Sequence, residues 1–374
     1  MSLPRQLQEV MKLGQATLEG ASPTVLLAVG TAVLGLVILA YPKVYGWSAA
    51  VVYMVFTRDR SWKKLPDPAT YERPAHRTVK KRIMFIRHGE SSWNEVFNIK
   101  PKLMMPFRLL RAILVEISLL FKQDSVFLDS PLNHTGVAQV SELLQWIEGD
   151  VAAETNPYVK ILRGEEGKSV LVTSNLRRAI STNLIAFTLR LLKPPFESVH
   201  VLSCCQEISR NVDTVAITPA RSMPKPSYVD KARAYYQAAT KQWTGLADPT
   251  LQFFERRMNI KGNTGSKGFG SNGMKRMLQF CNWAFTDPAA QEADTIIVTG
   301  HSLWFRTFFQ TFLCGSENHF ACKKSKMKNA GVVTFNLIRI SPEDAGEPKY
   351  MIEPNSLQSV FPTEDAGGAF ERSK

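Results

Sequence analysis

The sequence predicts a three-layer α/β fold, with a mostly parallel central sheet flanked by helices and a transmembrane helix ahead of it. Three short runs carry this expectation: Ile83-Met84-Phe85-Ile86, Val170-Leu171-Val172 and Ile296-Ile297-Val298. Each is apolar and uncharged, the pattern of a strand buried on both faces of a parallel sheet. Each runs into a polar end: Arg87-His88-Gly89, Ser174 to Arg178, and Gly300-His301-Ser302. In such sheets ligands bind beyond the carboxyl ends of the strands, so the three ends point to one site.

The first end already offers chemistry. Arg87 can clamp phosphoryl oxygens with its planar fork. His88 has a ring nitrogen able to attack phosphorus near neutral pH. Gly89 permits a tight turn and a close backbone approach. An Arg-His-Gly tripeptide alone carries little weight, because chance supplies it readily in a chain of this length. Three strand ends that each deliver a phosphate-compatible side chain are far harder to obtain by accident.

These residues resemble the histidine phosphatase superfamily, which includes the cofactor-dependent phosphoglycerate mutases. Arg87-His88-Gly89-Glu90-Ser91, followed by Trp93-Asn94, is similar to the family's opening signature. Asp129-Ser130-Pro131-Leu132 with Thr135-Gly136 resembles its Asp-x-x-Leu-x-x-x-Gly segment. Ser174, Leu176, Arg178 and Ala179 match its second arginine motif, and Gly300-His301-Ser302 its second histidine. The likeness covers roughly residues 82–340, with the motifs in order.

The resemblance implies a phosphoglycerate mutase-like fold in which His88 is the nucleophile and forms a phosphohistidine that water hydrolyses. It implies that Arg87, Arg178 and His301 surround the transferring group and offset its charge, with Asn94 donating to a phosphate oxygen. The leaving oxygen needs a proton. The family places that acid after the third strand, where Glu207 fits, with Asp213 as the alternative. No metal or cofactor is expected. Arg177 is expected to be a solvated neighbour of Arg178, and His76, His134, His200 and His319 to be surface or turn residues.

Ahead of this domain, Thr24 to Tyr41 is uncharged and mostly apolar, at the lower length limit for a bilayer span. Pro42-Lys43 interrupts it. Val44 to Phe56 adds Tyr45, Trp47 and Tyr53, aromatics favoured at membrane interfaces. One span continuing into an interfacial helix is the reading preferred over a hairpin, a signal peptide or a buried helix. Arg58, Arg60, Lys63, Lys64 and further cations to Arg82 follow it, against only Arg5 and Lys12 before it. That asymmetry puts the catalytic domain on the cytoplasmic side. Pro66, Pro68 and Pro74 make the linker extended.

The expected organisation is a tail at 1–23, a membrane segment at 24–56, a basic linker at 57–82 and a phosphatase domain at 83–340. A loosely ordered tail follows at 341–374. Two insertions depart from the mutase pattern, at 96–128 and 211–287, and count against glycolytic mutase activity. Phe107 to Lys122 in the first reads as a basic amphipathic helix that lies on a membrane, covers the site or packs as core. Gly262 to Gly270 in the second, with its lone Lys267, loosely resembles a phosphate loop.

The formal charge of +13 and the pI near 9.5 imply anionic partners: a phosphoprotein, a lipid phosphate or a small sugar phosphate, and acidic membrane surfaces. No nucleic-acid signature appears. Five cysteines, an odd count without a secreted framework, suggest a reducing compartment. The expected function is a membrane-anchored phosphomonoester hydrolase. The alternatives are a weakly active phospho-ligand scaffold and a mutase-type phosphotransferase.

Overall fold

The computed structural model describes residues 22–98, 101–224, 255–313, 325–343, 346–362 and 368–372. The expected tail at 1–23, all but its last two residues, and the middle of the 211–287 insertion lie outside the described residues, as does His319.

A single helix α1 (Pro23–Phe56) opens the chain. Ser22 accepts from the Val25 amide, and proline takes its first turn, where no hydrogen bond is lost. The helix runs through Pro42, so the expected continuing helix is the observed one. Strand β1 (Thr78–Arg87) begins five residues before the expected domain start. Helix α2 (Ser92–Phe97) carries Asn94, α3 (Met105–Ser118) fills the first insertion, and α4 (His134–Glu148) follows the Asp129 segment. Strand β2 (Ser169–Ser174) leads into α5 (Arg177–Ala186), and β3 (Val199–Leu202) leads to Glu207. After the two-residue β4 (Met258–Asn259) come α6 (Gly273–Thr286), β5 (Thr295–Gly300) and α7 (Ser302–Phe312).

The last part departs from expectation. The segment beyond Ser341 is not a loose end. After β6 (Ser325–Met327) and β7 (Val332–Ile340) it supplies β8 (Lys349–Ile352), β9 (Gln358–Phe361) and β10 (Phe370–Arg372). Its Pro, Gly and Glu content disguises short edge strands whose hydrogen bonds come from β7 and β6.

The main sheet runs β4-β3-β2-β5-β1-β7-β8, with β9 also on β7, and β6 and β10 form a separate pair. From β4 to β1 all neighbours are parallel, and β7 pairs antiparallel with β1, β8 and β9. Alternation along β1 explains its charge-free half. Ile83 and Phe85 join α6 and α7 in one core, while Met84 and Ile86 join α4 and α5 in the other. Phe85 stacks on Phe305 with centroids 4.1 Å apart. A third cluster joins α1, α2 and α3 through Ala50, Trp47, Trp93, Phe97, Ala112 and Phe127.

Candidate active site

The parallel register places the candidate residues side by side. Arg87 pairs with Gly300 across β1 and β5, so His88 and His301 leave adjacent strands at the same level. Their ring centroids are 5.1 Å apart. Gly89 has a packing reason to be glycine, since a Cβ there would lie 2.5 Å from the Gly136 carbonyl oxygen. The opening motif and the Thr135-Gly136 segment thus interlock backbone to backbone.

His88 Nδ1 lies 2.6 Å from the Gly89 carbonyl oxygen. Only a protonated Nδ1 makes that a hydrogen bond, which leaves the lone pair on Nε2. Arg178 Nε approaches Nε2 at 3.2 Å. Burial, then the charges of Arg178 and Arg87, hold the His88 pKa well below the ordinary histidine range. That direction favours the neutral ring at physiological pH.

Arg178 is clamped from its other side. It donates to the Asp213 carbonyl oxygen at 2.8 Å and pairs with the Asp213 carboxylate at 3.3 Å. His301 Nε2 lies 2.9 Å from Ser174 Oγ. Arg87 donates to the Met327 carbonyl and lies 3.5 Å from Glu371. Three buried polar atoms here have no hydrogen-bond partner among the described residues: Arg87 Nε, His301 Nδ1 and Asp213 Oδ1. Buried unpaired polar atoms are costly, and their gathering at one place suits a polar ligand.

A cavity of about 160 Å³ opens between them, lined among others by Arg87, His88, Asn94, Arg178, Glu207, Asp213 and Lys326. His301 is fully buried and sits behind this wall, with Ser302 and Leu303 lining it instead.

The two candidate acids have different surroundings. Glu207 accepts from the Trp304 amide at 2.8 Å, the Ile208 amide at 3.0 Å and the Leu303 amide at 3.4 Å, so both its oxygens face backbone donors. Asp213 keeps one oxygen unpaired. Burial, opposed by Arg178 and reinforced by Glu207, pushes its pKa up to about 6.

Several expectations need correction. Arg177 is not solvated: it is buried, pairs with Asp124 at 2.5 Å and receives the Asp129 carboxylate on its own amide at 2.8 Å. Adjacent helix positions do face different ways, but here both faces are covered. Lys267, on a stretch with only a loose likeness to a phosphate loop, has a structural place instead. Its ammonium is buried and donates to Asp59 at 3.1 Å, to the Glu207 carbonyl at 2.5 Å and to the Ser209 carbonyl at 2.8 Å. Burial, against the pull of Asp59, pushes its pKa down to about 8. His200 is a half-buried strand residue whose ring lies tilted against Trp283, with centroids 5.6 Å apart, rather than a surface or turn residue.

Sequence reading also missed functional neighbours. Asp59, fully buried at the start of the expected linker, takes both cations: Lys267, and Arg276 at 2.7 and 2.8 Å. Arg276 in turn donates to the Gln206 carbonyl. One carboxylate thus holds the two side chains that grip the Gln206–Ser209 segment. Lys326 adds a cation to the cavity wall. Neither residue stands in a motif, and the sequence separations exceed two hundred residues.

No family model matches the chain, and no curated protein sequence matches it significantly. Solved structures do match. One is a mycobacterial glucosyl-3-phosphoglycerate phosphatase, with TM-score 0.33 and 12% identity over 73% of this chain and 97% of that chain. Another is a phosphoglycerate mutase from Bacillus anthracis str. Sterne, with TM-score 0.33 and 13% identity over 75% of this chain and 94% of that chain. Likenesses this distant do not bear on activity.

Proposed function

We propose that the protein hydrolyses a phosphomonoester through a phosphohistidine on His88. The observation that carries this reading is the His88 ring, with Nδ1 against the Gly89 carbonyl and Nε2 turned toward Arg178 in the cavity wall. In the first step Nε2 attacks phosphorus, the P–O bond to the leaving group breaks, and that oxygen takes a proton from a carboxyl group. In the second step water attacks the phosphohistidine, returns a proton to the carboxylate and releases inorganic phosphate. Arg87 and Arg178 supply donors for the phosphoryl oxygens and Asn94 lines the same cavity, while His301, expected among the donors, supports the wall from behind. The acid is Glu207, by its place after β3. A second assignment, Asp213, is favoured by its raised pKa and unpaired oxygen.

Replacing His88→Ala should lower turnover by at least about three orders of magnitude, and the unmodified protein should trap acid-labile phosphate on His88. A variant as active as the parent would end the phosphohistidine reading. Glu207→Gln and Asp213→Asn are separated by leaving group. The variant lacking the acid loses far more activity on an alkyl phosphate than on p-nitrophenyl phosphate, which leaves without a proton. Equal losses on both substrates in either variant would exclude that residue as the donor.

The protein is further read as anchored by α1, which by length and composition is apolar enough to cross a membrane. The basic segment after it favours a cytoplasmic catalytic domain. A phosphorylated substrate, carried on a protein, a lipid or a small sugar, fits the cationic cavity.

A further inference from the structure

Helix α3 has two apolar faces. Ala112, Leu109 and Val115 turn inward onto the cluster shared with Trp93, Phe97 and Phe127. Leu103, Phe107, Leu110, Leu114, Ile117 and Phe121 turn outward, between 50% and 82% exposed. Their spacing of three and four residues makes one continuous stripe along the helix and its flanks. A stripe of this size in water marks an interaction surface or an aggregation hazard.

Its position relative to α1 identifies the partner. Lys43 lies twenty residues after Pro23, about 30 Å along the helix axis, which is one hydrocarbon thickness. At that level α1 is clasped by α3. Lys43 pairs with Glu116 at 2.8 Å, and the Trp47 indole donates to the same carboxylate at 3.0 Å. Lys43 also donates to the Asp124 carbonyl, just past α3. Helix α3 is thus held where α1 would leave the bilayer. Lys102, Arg111 and Lys122 are exposed beside the stripe and suit anionic headgroups.

We propose that the outer face of α3 docks into the headgroup boundary of the anionic bilayer that α1 crosses. This rests on reading α1 as the span. It makes the anchor a two-point contact and fixes the domain's orientation. Helix α2, packed on α3, carries Asn94, and α1 packs on the turn that holds Asp213. Both walls of the cavity therefore rest on bilayer-bound helices.

The test uses the full chain in nanodiscs of phosphatidylcholine and phosphatidylserine, with a photoreactive diazirine side chain installed singly at Phe107, Leu114 or Ile117. Leu36 on α1 is the positive control. Val79 is the negative control, exposed at the far end of β1 from the cavity. Lipid adducts at Leu36 and at all three α3 positions, at least about tenfold above Val79, are expected for an interfacial helix. Adducts at Leu36 alone would overturn the docking and leave the α1 span standing. Adducts at neither would overturn both. Crosslinks from α3 to protein instead of lipid would show that the chain or a second copy covers the stripe, which also defeats the proposal.

Discussion

The two halves of α1 have similar composition and opposite fates. Between Thr24 and Tyr41 most of the described side chains are exposed, and Val33, Leu34 and Val37 are more than half exposed. From Pro42 to Phe56 one face is built into that domain. Lys43, Ala50 and Tyr53 are buried, and the Tyr53 hydroxyl donates to the Ser209 carbonyl at 3.4 Å. Asp59, three residues past the helix end, then anchors Lys267 and Arg276 beneath the Glu207 segment. Hydropathy says that both halves avoid water. It does not say that only the second half is built into the sheet domain.

The largest effect that could break this contrast comes from truncation. Deleting residues 1–40 should leave a folded phosphatase. Deleting residues 1–60 removes Tyr53 and Asp59 and strands two buried cations, so the product should unfold or aggregate. Circular dichroism and turnover on p-nitrophenyl phosphate would check both. A well-folded, active protein lacking residues 1–60 would show that the second half is as dispensable as the first.

Next in size is the hub itself. Asp59→Asn should cost about 3–5 kcal/mol in urea unfolding, the penalty for breaking a buried pair by removing one partner. Burial would raise the Asp59 pKa, but Lys267 and Arg276 outweigh it and hold the carboxyl below the ordinary aspartate range. A lowered folded pKa contributes stability above the unfolded value, 3.8, and loses it as pH falls through the folded one. The deficit of Asp59→Asn should therefore be full at pH 7 and shrink only in strong acid.

Asp213, on the turn that α1 covers, has the opposite sign. Its folded pKa of about 6 lies above the ordinary 3.8. The proton it binds favours the fold below pH 4, and that contribution is lost as pH rises through 6. The stability gap between Asp213→Asn and the parent should move in favour of the variant by up to about 3 kcal/mol between pH 4 and pH 7. A pH-independent gap would mean that Asp213 titrates as an ordinary aspartate.

The smallest effect belongs to the outer half of α1. Val33→Ala should change the unfolding free energy of the detergent-solubilised protein by less than about 0.5 kcal/mol. A loss of 2 kcal/mol or more would place this half against the domain as well.

What the sequence by itself determined is local. Three uncharged runs specify central strands, because only a strand buried on both faces tolerates unbroken apolar residues. Their polar ends specify His88, Arg87, Arg178 and His301 as neighbours, because parallel strands deliver their carboxyl ends to one edge of the sheet. The 34 residues of α1 read as helix because they hold no acid and only one proline past the first turn. Tertiary structure alone decided the rest. Asp59 meets Lys267 and Arg276 across more than two hundred residues, and no local period encodes such a pairing. Arg177 is buried because Asp124 and Asp129 fold over it, which its place beside Arg178 on a helix does not reveal. The strands beyond Ser341 exist because β7 and β6 offer them edges, and short edge strands have too few residues to show alternation. The two acids, alike as carboxylates in sequence and equally buried, part only when backbone amides meet both oxygens of Glu207 and leave one of Asp213 unmet. Burial and long-range charge are properties of the packed chain, so these features became legible only once the chain was folded.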